Sequence, residues 1–154
     1  MTDQSRSHMQ RALKLARKAA LNNEVPVGAV VVYGGRIVGR GWNQVETIRD
    51  SSRHAELTAL KQAAKKLGRW RLTGCTLYAT LEPCAMCAGA MVLARIDRLV
   101  FAASDPKAGA CGSVFNIVED HRLNHRIKVV RGLLEKEASQ ALKDFFKKRR
   151  SQKP

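Results

Sequence analysis

Met9, Leu13, Ala16 and Ala20 recur at helical spacing, which predicts a surface helix over residues 6–22 closed by Asn22-Asn23. The pattern then changes to strands. VPVGAVVVY (25–33) and RIVGRGW (36–42) are rich in β-branched residues and flank Gly34-Gly35, the mark of a two-residue hairpin. The next stretch, NQVETIRDSSR, has no hydrophobic period and reads as a loop. HAELTALKQAAKKLG returns to the helical period, with Ser51 or Ser52 near its start and Gly68 as its stop. CTLYAT (75–80) reads as a strand, CAMCAGAMVLAR (84–95) as a helix of small and apolar residues, and RLVFAA (98–103) as a strand. SDPKAGACGS (104–113) is a Gly-rich loop, and HRIKVVRG (125–132) is a last strand. Leu134, Ala138, Leu142 and Phe145 or Phe146 mark a C-terminal helix that ends in KKRR.

The order is therefore α β β α β α β β α. Strands alternating with helices after an opening hairpin predict an α/β fold, a three-layer α/β/α sandwich on a five-stranded mixed sheet. No repeat, low-complexity tract or linker interrupts the 154 residues, so 1–154 reads as one domain. With 45% hydrophobic and only 5% aromatic residues, the core must be built from Ala, Val, Leu and Ile. No apolar run approaches the roughly 18 residues of a membrane span, so no membrane partner is expected.

Charge adds a partner. The chain carries 28 Lys/Arg against 13 Asp/Glu, a formal +15. The surplus sits at the ends: ten cations and three acids over 125–154, five and one over 1–22. A solvated basic face is the plain reading of such a surplus. Its size and concentration favour a polyanion, and nucleic acid above all. The start is polar and charged, unlike a secretory signal. SRSHMQRALKLARKAA mimics a transit peptide in composition but reads better as a folded helix. The expected location is cytoplasmic, where thiols stay reduced and a disulfide framework is disfavoured.

Candidate chemistry centres on LEPCAMC (81–87). Cys84 and Cys87 stand one turn apart at a predicted helix start, so their sulfurs project to one side. A redox pair uses the same spacing, and there a helix N-terminus lowers the thiol pKa. A structural zinc site needs four protein ligands. The chain has no second C-x-x-C, and His121 and His125 fall around Asn124 and a strand start rather than on a helix. Three ligands and an open position remain, with His54 of R-H-A-E-L as the third, at the start of the preceding helix. Glu56 follows two residues later. Two thiolates and a neutral imidazole cancel the charge of a zinc ion, so a nearby carboxylate is needed to take a proton from a bound water. Taken alone, Glu56 is a first-turn acid stabilising a helix dipole.

H-A-E followed by P-C-A-M-C resembles the signature of zinc nucleoside and nucleobase deaminases. EVPVGAVVV, GWN, TLYATLEPCAMCAGAM, SDPKAGACGS, NHRIKVVRG and the terminal DFFKKRR extend the likeness. From about Met9 to Arg150 the chain resembles the bacterial tRNA-specific adenosine deaminases. The resemblance implies a cytidine-deaminase-like fold, a homodimer, and one zinc ion per subunit held by His54, Cys84 and Cys87, with Glu56 as proton shuttle. The implied reaction is hydrolysis of adenosine to inosine at the wobble position of a tRNA anticodon stem-loop. Asn43 would bond the flipped nucleoside, and Val27 and Leu81 would line the base pocket. Asp105, Lys107, Asn124 and Phe145 would lie along the anticodon loop. Asp50-Ser51-Ser52-Arg53 departs from the proline-containing turn often found in that family before the histidine. Each residue also has a plainer reading: Asn43 as a cap, Val27 and Leu81 as core, Asp105 as a turn former before Pro106, Lys107 as a solvated cation, and Cys75 and Cys111 as buried small apolar groups. Three other functions compete: a deaminase of free nucleobases or nucleotides such as guanine or cytosine, a non-catalytic RNA-binding module with structural zinc, and a Cys84–Cys87 oxidoreductase.

Overall fold

Along strand β1 (Gly28–Tyr33), Ala29 and Val31 face one way, Val30 and Val32 the other, and all four are buried. The same alternation runs through β3 (Thr76–Leu81) and β4 (Arg98–Ala103). Leu77, Ala79, Leu99 and Phe101 join one core, while Tyr78, Val100 and Ala102 join the other. Strands buried on both faces need cover on both. Helices α1 (Asp3–Leu21) and α5 (Glu135–Ser151) supply it on one side through Met9, Ala12, Leu13 and Ala138. Helices α3 (Ala55–Leu67) and α4 (Ala85–Ala94) supply it on the other through Ala55, Ala59, Leu60, Ala63, Ala88, Met91 and Val92. This computed structural model describes residues 2–152. Met1, Lys153 and Pro154, the outermost positions of the expected 1–154 domain and its basic tail, lie outside the described residues.

The sheet order is β2-β1-β3-β4-β5, with β2 at Arg36–Trp42 and β5 at Lys128–Arg131. β1 is antiparallel to both its neighbours, and β3, β4 and β5 are mutually parallel. The five-stranded mixed sheet between two helix layers is the architecture expected from the element order.

Several boundaries differ from expectation. The first helix begins at Asp3 because the Thr2 hydroxyl accepts the Ser5 N–H. The first strand begins at Gly28 rather than Val25, and the last spans only 128–131. The segment read as a loop contains a one-turn helix, α2 (Val45–Ile48). Neither Ser51 nor Ser52 caps α3. Ser52 bonds Asp50 instead, His54 occupies the N-cap position, and Asn43 Oδ1 accepts the Ala55 N–H at 2.9 Å. Capping by a residue on another element leaves no local sequence mark.

Helix α3 lies flush on β2. A Cβ at residue 41 would overlap the Ala55 carbonyl oxygen, and one at residue 39 the Ala59 carbonyl oxygen. Gly39 and Gly41 are therefore required for the close approach, and with them the position of the first turn of α3. Gly41→Ala is expected to push that turn off the sheet and destabilise the fold by about 1–3 kcal/mol. Thermal unfolding measures this as a Tm drop of roughly 2–12 °C. An unchanged Tm would show that the helix can shift without loss.

Candidate active site

β2 and β3 end at the same edge of the sheet, and α3 and α4 begin there. That edge collects the candidate side chains. His54 is the N-cap residue of α3 and Cys84 the N-cap residue of α4, with Cys87 in the first turn of α4. His54 Nδ1 lies 3.5 Å from Cys84 Sγ and 3.6 Å from Cys87 Sγ. Two ligands of a tetrahedral zinc ion, with Zn–S of about 2.3 Å and Zn–N of about 2.0 Å, stand about 3.6 Å apart. The donor set and its spacing thus fit a metal ion. Among the described residues this is the only group of three or more side chains so placed. His125, which with His121 a four-ligand zinc site would need, bonds the Ile96 carbonyl at 2.7 Å beyond the far end of α4. Cys75 and Cys111 are buried and unpaired.

The electrostatics differ from group to group. Hydrogen bonds from Cys87 and His54 pull the Cys84 thiol down to about 3, making it the ready thiolate of the pair. The bond to Cys84 in turn raises the His54 imidazole above its ordinary value. Glu56, in the first turn of α3, is 4% exposed, and burial pushes its carboxyl up to about 7.

Glu56 is one of three buried carboxylates, and the other two went unnoticed in the sequence. Glu24 accepts the backbone N–H groups of Glu46 and Thr47, at 3.0 and 2.6 Å, and the Thr47 hydroxyl. It therefore holds the N-terminus of α2 and the segment that leads from Asn43 to His54. Glu82 accepts the N–H groups of Asp105, Cys111 and Ser113, each at 3.0 Å, and the Ser113 hydroxyl. Burial opposes the charge of both. The hydrogen bonds outweigh it, so both carboxyls sit below their ordinary values. The 104–113 loop is built around Glu82. Gly109 leaves room where a Cβ would overlap the Glu82 carboxylate, and the Ala110 N–H donates to the Pro83 carbonyl. The available signal was an acid directly beside an apolar stretch and a proline, in N-E-V-P and L-E-P-C.

The remaining candidates differ in where they lie. The Asn43 N–H donates to the Val27 carbonyl at 3.1 Å, tying both to the start of α3. Val27 is buried and Leu81 half-buried against both cores. Asp105 turns the loop by accepting from Lys107 and Ala108, and Lys107 is exposed. Phe145 lines a small groove with Ala20, Asn23 and Arg149 at the C-terminal end of α1. Asn124 is exposed in the turns before β5.

A family model of MafB19-like deaminases matches residues 2–150. The tRNA-specific adenosine deaminase of Bacillus subtilis strain 168 is 47% identical over 150 residues, covering 97% of this chain and 93% of its own. The chain belongs to the tRNA-specific adenosine deaminase family. The solved structure of a tRNA:A34 deaminase, which performs A-to-I editing at the wobble position of transfer RNA, is similar with a TM-score of 0.85 at 42% identity. It covers 88% of this deaminase and 99% of that chain. A guanine deaminase from Nitrosomonas europaea is similar with a TM-score of 0.79 at 27% identity, covering 91% and 83%. The fold is thus shared with deaminases of free bases, while the higher identity lies with those of tRNA.

Glu82→Gln is expected to turn one acceptor into an NH₂ group facing amide donors, leaving at least one loop N–H unpaired. The expected loss is about 1–3 kcal/mol, with faster hydrogen exchange at Asp105 and Cys111. Exchange at wild-type rates would remove Glu82 as the anchor of the loop.

Proposed function

We propose that this deaminase converts adenosine to inosine at the wobble position of a tRNA anticodon stem-loop, with release of ammonia. The observation that carries the reading is the His54–Cys84–Cys87 triangle with Glu56 on the turn that bears His54. It rests also on 47% identity to a tRNA-specific relative. His54, Cys84 and Cys87 would hold one zinc ion per subunit. When bound there, zinc supplies an acidified water.

The chain's own groups do the rest. Asn43 spends its Oδ1 on the Ala55 N–H, which leaves its side-chain NH₂ free to donate to the nucleoside. Val27 and Leu81 enclose the flipped adenine, whose extrusion from a loop costs a few kcal/mol. Glu56 takes a proton from the attacking water as its oxygen bonds C6. Glu56 then gives that proton to N1 of the ring. The second water proton follows to the exocyclic amine, the C6–N bond breaks, and ammonia leaves. Asp105, Lys107, Asn124 and Phe145, with the basic end of α5, line the approach of the anticodon loop.

The reading includes a cytoplasmic homodimer. Family membership supports it, as does the exposure of Met86 and Leu93 on α4 and of Val114 and Phe115 after the 104–113 loop, a surface that a second copy would cover. Among the described residues no helix is long and apolar enough to cross a membrane.

The test is nucleoside analysis of a stem-loop RNA with a wobble adenosine after incubation with the zinc-loaded enzyme. Inosine is expected. Conversion of free guanine or cytosine in its place would hand the site to the free-base reading. Glu56→Gln should lower the rate about 10²–10⁴-fold while keeping one zinc per chain and unchanged RNA affinity. Chelation should abolish activity, and zinc should restore it. Activity retained by Glu56→Gln would sink the assigned role.

A further inference from the structure

Away from the deaminase site, on the α1 face of the sheet, a groove of about 530 Å³ runs between α1 and the edge strand β2. Arg11, Lys14, Arg17 and Lys18 border it from the helix and Arg40 from the strand. All five side chains are exposed. Among the described residues none has a carboxylate within salt-bridge distance, whereas Arg53, Arg122 and Arg131 each do. No acid occurs between Asp3 and Glu24, and Glu24 is committed to α2.

This arrangement is unfavourable for the isolated chain. Lys14 lies three residues from Arg11 and four from Lys18, so three like charges share one helix face. No carboxylate among the described residues relieves them, and an external anion would. The groove also points somewhere. Its end near the site is marked by Lys18, whose Nζ lies 4.1 Å from the centre of the Trp42 ring. Trp42 precedes Asn43, which caps the helix turn bearing His54. From Arg11 to Lys18 the helix rises about 10 Å, about three phosphate-to-phosphate steps along one strand of a duplex.

We propose that this groove binds the phosphate backbone of the RNA stem that adjoins the deaminated loop. The proposal rests on the tRNA reading above and extends it: the site takes the base and the loop, and α1 with β2 follows one strand of the stem. These contacts position the RNA and carry no sequence information.

The test uses the zinc-loaded enzyme and a fourfold variant, Arg11→Gln, Lys14→Gln, Lys18→Gln and Arg40→Gln. A control variant of equal net charge neutralises Lys66, Arg71, Arg98 and Lys128, exposed residues at or toward the opposite end of the sheet. Two probes are compared, a stem-loop with a wobble adenosine and a loop-only oligonucleotide of the same loop sequence. Affinity is measured against salt concentration. For the stem-loop, the slope of log K against log salt should fall by about 2–3 in the groove variant, from roughly 0.9 per lost phosphate contact. It should fall by less than about 1 in the control. Deamination of the loop-only probe by the groove variant should match wild type.

Equal slope changes in both variants would overturn the proposal in favour of a diffuse field. An unchanged slope would leave the groove to solvent or to an acidic protein. Loss of loop-only deamination would show a structural role instead. If the wild-type enzyme makes no inosine in either probe, the substrate reading itself fails. If it does and the groove variant keeps its slope, only the groove assignment fails.

Discussion

The site depends on how closely α3 can approach β2. Gly39 and Gly41 present bare backbone to the carbonyls of Ala59 and Ala55, so the helix settles against the strand with no side chain between. The N-terminus of the helix is then fixed by Asn43, the first residue past that strand. One contact thus sets the height of α3, and the next sets where it starts. His54 and Glu56 sit within that first turn. β3 ends at the same edge and hands the chain to α4, which starts at Cys84. The 3.5 Å between His54 Nδ1 and Cys84 Sγ is the product of two helix starts placed independently by the sheet. A triangle of metal donors tolerates errors of a few tenths of an ångström, so the flush packing is a functional requirement as much as a packing one.

Two loops flank this edge, and each is held by a buried carboxylate rather than by hydrophobic contacts. Glu24 serves the 44–53 segment and Glu82 the 104–113 loop. A carboxylate suits the task because its two oxygens can accept several N–H groups that point inward from a turn. An apolar residue in either place would leave those amides unpaired. The loops carry Asp105 and Lys107 on one side and lead from Asn43 to His54 on the other. A polynucleotide substrate, as proposed above, would need such segments ordered yet uncovered.

The legible parts of the molecule are those whose physics is local in the chain. The 3.6-residue period exposed α1, α3 and α5, and Gly34-Gly35 exposed the hairpin. H-A-E and P-C-A-M-C are each a short-range spacing at a helix start, while their pairing across thirty residues rested on the ligand count and the resemblance. Nonlocal causes left no such trace. The four residues of α2 are too few to show a period, and their first amides are satisfied by Glu24 from more than twenty positions upstream. Ser52 looked like a cap because serine usually is one, but the cap came from across the strand end. Glu82 passed unseen since its donors lie 23 to 31 residues later. Asn124 and Phe145 were placed by resemblance, and the geometry around His54 alone would not have suggested either.

Charge and burial together explain why a single carboxylate stands out. Among the described residues Glu24, Glu56 and Glu82 are the buried carboxylates, and no buried Lys or Arg joins them. Every Lys and Arg among the described residues is therefore left at or near the surface, which makes the exterior still more one-signed than the formal +15 implies. Inside, three chemically identical groups meet different surroundings. Two are surrounded by loop amides, which stabilise the charged form and commit those groups to architecture. Among the described residues no loop amide binds the third, which stands beside the metal-capable triangle. A carboxylate that is already satisfied cannot exchange protons usefully near neutrality, whereas one that burial leaves near balance can. Position and surroundings thus divide the three: Glu24 and Glu82 hold the loops still, and Glu56 keeps the raised carboxyl that the proposed proton transfer needs.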